Sequence, residues 1–352
     1  MVVGRHYRAR TRVVRADSAH GSDMAIHPRS GPRSRRSHPL PRERVRRRAH
    51  RLTVPWQGRN GLHHRGLPHP MARIPRAEDR ERRDPPRLKP RYTMLLKSKV
   101  AIVTGAGRGT GAVIARRFAE EGATVVVVDV LEAEGRAVAD ILEAPAAFHA
   151  CDITDELAWT SLVHDVVAQH GRVDVLVNNA AVLHMGGIER TTAAEFRRVF
   201  DVNALGAFLG IKAVSAVMRA NGGGSIINIA SIDALQGMNG LSAYTTSKWA
   251  LRGLSKATAV ELGRDNIRVN TVCPAGGNPA MYAPWGEKLS GLADEIDAYH
   301  HTRPIARNVT LDEIADVAVF LASDLARMVT GVDVPVDGGH LAGDHVRGFD
   351  AL

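Results

Sequence analysis

A doubly wound α/β fold built on a parallel sheet is predicted from three observations. From residue 99 onward, short apolar runs alternate with amphipathic stretches of helical length. The runs are apolar throughout rather than at every second position, which marks strands covered on both faces. A glycine-rich turn also joins the first run to the first amphipathic stretch. Right-handed crossovers then put helices on both faces of one sheet in a single domain.

KVAIVT (99–104) is β-branched and too short for a helix, so it reads as the first strand. Residues 111–121 follow as a helix, TVVVVDV (124–130) as a strand and 132–142 as a helix. Next come helix 155–169, strand RVDVLVNNA (172–180), helix 193–219 and strand SIINIAS (225–231). Helix 242–262, strand IRVNTVC (267–273), helix 311–323 and strand VDVPVDGG (332–339) complete the series. The arrangement is Rossmann-like, and in such sheets the ligand lies in the crevice outside the carboxyl ends of the strands.

Composition divides the chain in two. The formal charge is +10, but residues 1–93 hold 24 Arg and one Lys against seven acids, a net of +18. The rest, from Met94, carries a net of −8. The leading segment is rich in Arg, Pro and His and has no sustained apolar period, so it is expected to be disordered. A basic run can serve as a nucleic-acid-binding arm. A targeting peptide fits poorly, because no apolar region follows the arginines and Glu78, Asp79, Glu81 and Asp84 are acidic. The favoured reading is a non-native upstream extension, because MLLKSKVAIVTG begins a complete domain at Met94; nucleic acid is then no partner.

The 259 residues from Met94 suit one α/β domain with a sizeable core. No run of 18 or more apolar residues appears, so no membrane span is expected. Two cysteines, Cys151 and Cys273, give neither a disulfide framework nor a metal cluster, which makes the cytoplasm the default compartment. His300 and His301 lack ligand partners at metal-binding spacing, so no catalytic metal is expected.

TGAGRGTG (104–111) follows a strand and opens a helix. Glycines let the backbone turn tightly, and the helix amides then face an anionic pyrophosphate. Gly105, Arg108, Gly109, Thr110 and Gly111 are the binding residues expected here. A lone glycine string is weak, but an acid, Asp129, ends the next strand eighteen residues after Gly111. A carboxylate there accepts from the adenosine ribose hydroxyls and repels a 2′-phosphate, which favours NAD over NADP. Arg108 is the competing feature, since a guanidinium could meet that phosphate; pyrophosphate contact or solvent exposure is the preferred reading of it.

Tyr244 and Lys248 lie four residues apart in a helical stretch and so share one face. An ammonium there favours the phenolate, and a tyrosine that exchanges its proton near neutral pH suits reversible alcohol–ketone chemistry. Tyr-x-x-x-Lys alone is common on solvated helix faces. It gains weight from Ser231, thirteen positions upstream, and from the glycine turn.

TGAGRGTG, CDIT (151–154), NNAA (178–181), Asn203 in FDVNALGAF, Ser231, the Tyr244–Lys248 pair and VDGG (336–339) follow in order. As a set they resemble the short-chain dehydrogenase/reductase family over residues 94–340. The stretch from Tyr244 to Asn270 is especially similar to bacterial 3-alpha/20-beta-hydroxysteroid dehydrogenases and related secondary-alcohol dehydrogenases. The resemblance implies about seven parallel strands and a homotetramer built partly through the helices near 193–219 and 242–262. It implies Asp152 and Ile153 beside the adenine, Asn178 and Ala180 along the cofactor cleft, and Pro274 at the cofactor loop. Tyr244 would be the general acid/base, with Lys248 favouring its phenolate and holding the nicotinamide ribose. Ser231 would donate to the reacting oxygen, and Asn203 would position a water leading from Lys248 to solvent.

There are departures from that pattern. Pro274 is followed by Ala275, Gly276, Gly277 and Asn278, and the threonine that meets the nicotinamide carboxamide is absent from its usual place. Asn278 replaces that contact, or the loop runs differently. Residues 278–305 form a long segment carrying Met281, Tyr282, Trp285 and Tyr299, which suits a lid over a hydrophobic secondary alcohol or ketone. Asp233 and His184 are candidates to meet a polar substrate group, with a surface side chain the preferred reading of each. The alternatives are an NADPH-dependent 3-oxoacyl thioester reductase, which Asp129 disfavours, and a non-catalytic nucleotide sensor, which has no need of Ser231, Tyr244 and Lys248.

Overall fold

The computed structural model describes residues 94–142, 145–276, 278–343 and 348–349. The expectation of disorder for the Arg-rich leading segment lies outside these residues. In chain order the elements begin with β1 (Val100–Thr104), α1 (Gly109–Glu120), β2 (Thr124–Asp129), α2 (Glu132–Asp140) and β3 (Ala146–Ala150). Next come α3 (Glu156–His170), β4 (Val175–Asn178), α4 (Ala193–Phe200), a π-helical turn (Asp201–Leu205) and α5 (Gly206–Ala220). Then follow β5 (Gly224–Ile229), α6 (Ser242–Leu262), β6 (Ile267–Pro274) and the short α7 (Pro279–Tyr282). After these lie α8 (Gly286–Ser290), α9 (Ala293–His301), α10 (Leu311–Ala322) and β7 (Asp333–Val336).

The seven strands form one parallel sheet in the order β3-β2-β1-β4-β5-β6-β7. The order reverses between β1 and β4, so the crevice for a ligand opens there. The strands are uniformly apolar because each supplies two cores by strict alternation. Ala101, Val103, Val125 and Val127 pack with Ile114, Phe118 and Ile314 on the α1/α10 face. Val100, Ile102, Val126 and Val128 pack with Trp159, Leu162 and Met218 on the α3/α5 face.

β3 was not among the strands read from the sequence. Its residues AAFHA are only partly covered, as befits an edge strand, and so they lack the apolar run that marks the others. Phe148 fixes its place: a Cβ added at Gly135 would lie 2.1 Å from the Phe148 ring, so only glycine lets α2 seat on that strand.

Residues 193–219, read as one helix, are two helices joined by the π turn. Ala193–Ala220 as a whole is long and apolar enough to cross a membrane, with a mean hydropathy of 1.4, but half of its apolar window is buried inside the protein. A helix covering a parallel sheet has that composition for packing reasons alone. The segment 278–305, read as a loop, is mostly short helices.

Candidate active site

α6 presents Tyr244, Ser247, Lys248, Leu251, Ser255 and Ala259 along one buried stripe at helical spacing. The helix is gripped from the sheet through amides. Asn178 on β4 donates to Asn228 on β5 at 2.8 Å, and Asn228 donates to Ser255 at 2.8 Å. Asn203 in the π turn donates to Ser247 at 3.0 Å and binds both backbone polar groups of Val182, at 2.8 and 3.0 Å. π turns insert one residue and recur at functional sites, and here the extra residue aims an amide at α6. The Asn203 amide is therefore committed to protein partners, so any water relay from it would start at its main-chain carbonyl.

Tyr244 and Lys248 are 6 % and 2 % exposed, with the ammonium 5.5 Å from the phenol ring. Lys248 donates to the Ile229 carbonyl at the end of β5 at 2.9 Å. Two residues on, Ser231 donates to Asp233 Oδ2 at 3.0 Å and accepts from the Asp233 N–H at 3.1 Å. Its hydroxyl proton must rotate away from Asp233 to reach a substrate oxygen.

Burial, joined by Tyr282 and Asp233, pushes the Tyr244 phenol well above its ordinary value, and a hydrogen bond with Ser231 opposes this only in part. Burial also pulls Lys248 down to about 8, against the influence of Cys273 and Asp233. Desolvation is the largest influence on both groups.

A pH test of stability follows. The unfolded chain holds the Lys248 proton up to the ordinary 10.5, while the folded chain releases it near 8. The unfolded state therefore binds more protons in that window, and stability from this group rises with pH across it. Cys151 and Cys273, pushed up to about 11 and about 12 by burial, act oppositely above 9.0. The clean quantity is the unfolding free energy of wild type minus Lys248→Met, expected to rise by about 3 kcal/mol between pH 7 and 10.5. A flat difference in denaturant titrations would refute the buried-ammonium account.

The motifs meet in a cleft of roughly 1270 Å³ at the β1/β4 switch point. That volume exceeds the usual single-ligand pocket and suits a dinucleotide plus a substrate. Gly105 and Gly109 take positive φ of 63° and 57°. A Cβ at Gly105 would lie 2.7 Å from Ala180 Cα, and one at Gly111 would lie 2.2 Å from the Gly105 carbonyl. The turn is thus a close-packed cradle at the start of α1, fitted to a pyrophosphate. Thr110 is buried and Arg108 exposed, and both line the cleft.

Asp129 is 9 % exposed at the end of β2. Its oxygens accept from Gly107 N–H at 2.9 Å and Leu131 N–H at 3.0 Å, so it also braces the glycine turn, a role not read from the sequence. Asp152 is exposed and accepts from the Thr154 N–H and hydroxyl, while buried Ile153 lies beside it; both line the cleft with Ala180 and Pro274.

Asn178 and Asn179 divide the work at this strand end. Its side chain lies between β4 and β5, and the asparagine lining the cleft is Asn179, whose amide donates to the Thr104 and Gly105 carbonyls. In a strand, neighbouring residues face opposite ways, so a one-residue shift changes the role. Asn278 sits over Gly109, where an added Cβ would meet its Oδ1 at 2.5 Å. That oxygen is buried without a partner.

Asp233 and His184 are not surface side chains. Asp233 is 6 % exposed with Oδ1 unpartnered, and burial raises its proton affinity. His184 packs edge-on against Trp285 at 5.7 Å. Met281, Tyr282, Trp285 and Tyr299 line the cleft, with Met281 Sδ 4.0 Å from the Tyr244 hydroxyl. Among the described residues no cluster of three or more His, Cys, Asp or Glu side chains could hold a metal; the His300 side chain lies outside them.

Known proteins resemble this chain in sequence and fold. Residues 105–340 match the family model described as enoyl-(acyl carrier protein) reductase. The chain is 40 % identical to trans-4-hydroxycyclohexanecarboxylate dehydrogenase of Sinomonas cyclohexanicum, over 71 % of this chain and 95 % of that protein. It is 41 % identical to 3-alpha-(or 20-beta)-hydroxysteroid dehydrogenase of Mycobacterium tuberculosis, over 73 % and 95 %. A crystal structure from Burkholderia xenovorans, assigned to the short-chain dehydrogenases/reductases, superposes with a TM-score of 0.67 at 35 % identity, covering 71 % of this chain and 99 % of the other. With its switch-point cleft, glycine cradle and buried Ser231, Tyr244 and Lys248, the chain belongs to the short-chain dehydrogenase/reductase family of oxidoreductases.

Proposed function

We propose that this protein is an NAD-dependent dehydrogenase that interconverts a hydrophobic secondary alcohol, alicyclic or steroid-like, with its ketone. The observation that carries the reading is the burial of Ser231, Tyr244 and Lys248 together under an apolar lid at the end of the cleft. The relatives named for a cyclohexane ring acid and for steroids support the substrate class.

When bound, the nicotinamide supplies the hydride acceptor or donor and, when oxidised, a positive charge that favours the Tyr244 phenolate. Tyr244 passes a proton to or from the substrate oxygen. Ser231, turned from Asp233, donates to that oxygen and stabilises negative charge developing on it. Lys248 holds its ammonium beside the phenol and keeps two N–H donors for the ribose. Asp129 receives the adenosine ribose hydroxyls, and the Gly105–Gly111 backbone holds the pyrophosphate. Met281, Tyr282 and Trp285 exclude water from the reacting carbon.

Exposed Phe196, Phe200, Phe208 and Trp249 on α4, α5 and α6 support a homotetramer, which sedimentation at the monomer mass would refute. The test of function is nicotinamide absorbance with the full chain, NAD or NADP, and a panel of cyclic, steroid and short-chain alcohols plus a 3-oxoacyl thioester. Turnover of cyclic alcohols with NAD is the expected result. Turnover of the thioester alone, or cofactor binding with no turnover at all, would overturn the reading.

A further inference from the structure

The lid segment ends in a charge that its apolar character does not explain. Arg303, just after α9, is 4 % exposed and lines the cleft. Its Nε and Nη1 are buried and have no hydrogen-bond partner. Its guanidinium carbon lies 5.8 Å from the Tyr299 ring centre, a contact that uses none of those donors. Asp337 influences it, but both Asp337 oxygens already accept backbone N–H groups, from Gly339 and Leu341, at 2.9 Å. A desolvated guanidinium with unused donors is costly, and an anion drawn into the same cavity would relieve that cost.

The cleft is polar in a definite direction. Asp233, with its own unpartnered oxygen, stands beside Ser231 and near Tyr244, so an acid group on a ligand is repelled from the reacting end. Tyr282 and Tyr299 each lie within electrostatic reach of both Asp233 and Arg303 and line the same cleft. A ring compound with a hydroxyl toward Tyr244 and an anion away from it satisfies both ends.

We propose that Arg303 receives a carboxylate of the substrate, so that the preferred substrates are alicyclic hydroxy- or oxo-carboxylates rather than wholly apolar alcohols. The assignment rests on the reading that the alcohol reacts at Tyr244, and it makes Arg303 a specificity-determining residue.

The test is binding of cyclohexanecarboxylate and cyclohexanecarboxamide to the full chain by calorimetry, which needs no turnover. Wild type is expected to bind the carboxylate about 10- to 100-fold more tightly than the amide, the range of a charge-assisted hydrogen bond. Arg303→Met should reduce the ratio to near one, and Arg303→Lys should restore part of it. In turnover, Arg303→Met should raise KM for 4-hydroxycyclohexanecarboxylate with little change in kcat or in the kinetics of its methyl ester. Equal binding of acid and amide by wild type would overturn the proposal without recourse to any variant. A carboxylate preference that survives Arg303→Met would also overturn it, by placing the anion on another group. Arg303-dependent binding without turnover would refute the dehydrogenase reading while leaving this assignment standing.

Discussion

Tyr244→Phe is expected to lower kcat by about 10³-fold while leaving nicotinamide cofactor affinity within about twofold, since positioned acid–base groups contribute roughly 10²–10⁴. The substitution removes one hydroxyl from a side chain that is 6 % exposed and otherwise packs with Val199, Leu241 and Ala243. Its hydroxyl meets Met281 Sδ only at a long 4.0 Å and has a hydrogen bond with Ser231, which keeps Asp233 as a partner, so the fold should tolerate the loss. Steady-state kinetics and cofactor titration of the same preparation would check the pair of outcomes. Activity retained within tenfold would mean that another group moves the proton.

The second large effect is expected at Asp129. Asp129→Ala should shift the ratio of kcat/KM for NAD over NADP by about 100-fold toward NADP. Hydrogen bonds to a charged group contribute roughly 1.5–3 kcal/mol, at least tenfold in affinity, and these are lost on the NAD side. Removing a carboxylate that repels a 2′-phosphate gives a comparable gain on the other side. Asp129 also braces the glycine turn through Gly107 and Leu131, so some loss of affinity for both cofactors is expected as well. The ratio separates the two effects, because loosening the turn weakens both cofactors alike. A wild type that already prefers NADP would contradict the reading of Asp129.

Much of the site was legible because its residues sit at fixed distances along regular elements. Tyr244 and Lys248 share a face by helical period alone, and that face is the buried one. The glycine turn and Asp129 could be located because each terminates a strand, and in a parallel sheet those ends converge. Strand β3 was illegible because an edge strand needs no continuous apolar run, and β4 ends at Asn178 with Asn179 next, two asparagines whose facing only the tertiary structure decides.

By itself, then, the sequence determined the parallel sheet, its glycine-rich turn and the shared face of Tyr244 and Lys248, which follow from local periodicity and spacing, while the resemblance to a known family added Ser231 to them. Only the tertiary structure decided what depends on burial and on contacts distant along the chain. It turned Asp233 inward onto Ser231, committed the Asn203 amide to Val182 and Ser247, and desolvated Tyr244 and Lys248 together. It also brought Arg303 into the same cleft. Proton affinity and unmet hydrogen-bonding demand are properties of a site's surroundings, and surroundings assembled from separate elements leave no periodic trace in the chain.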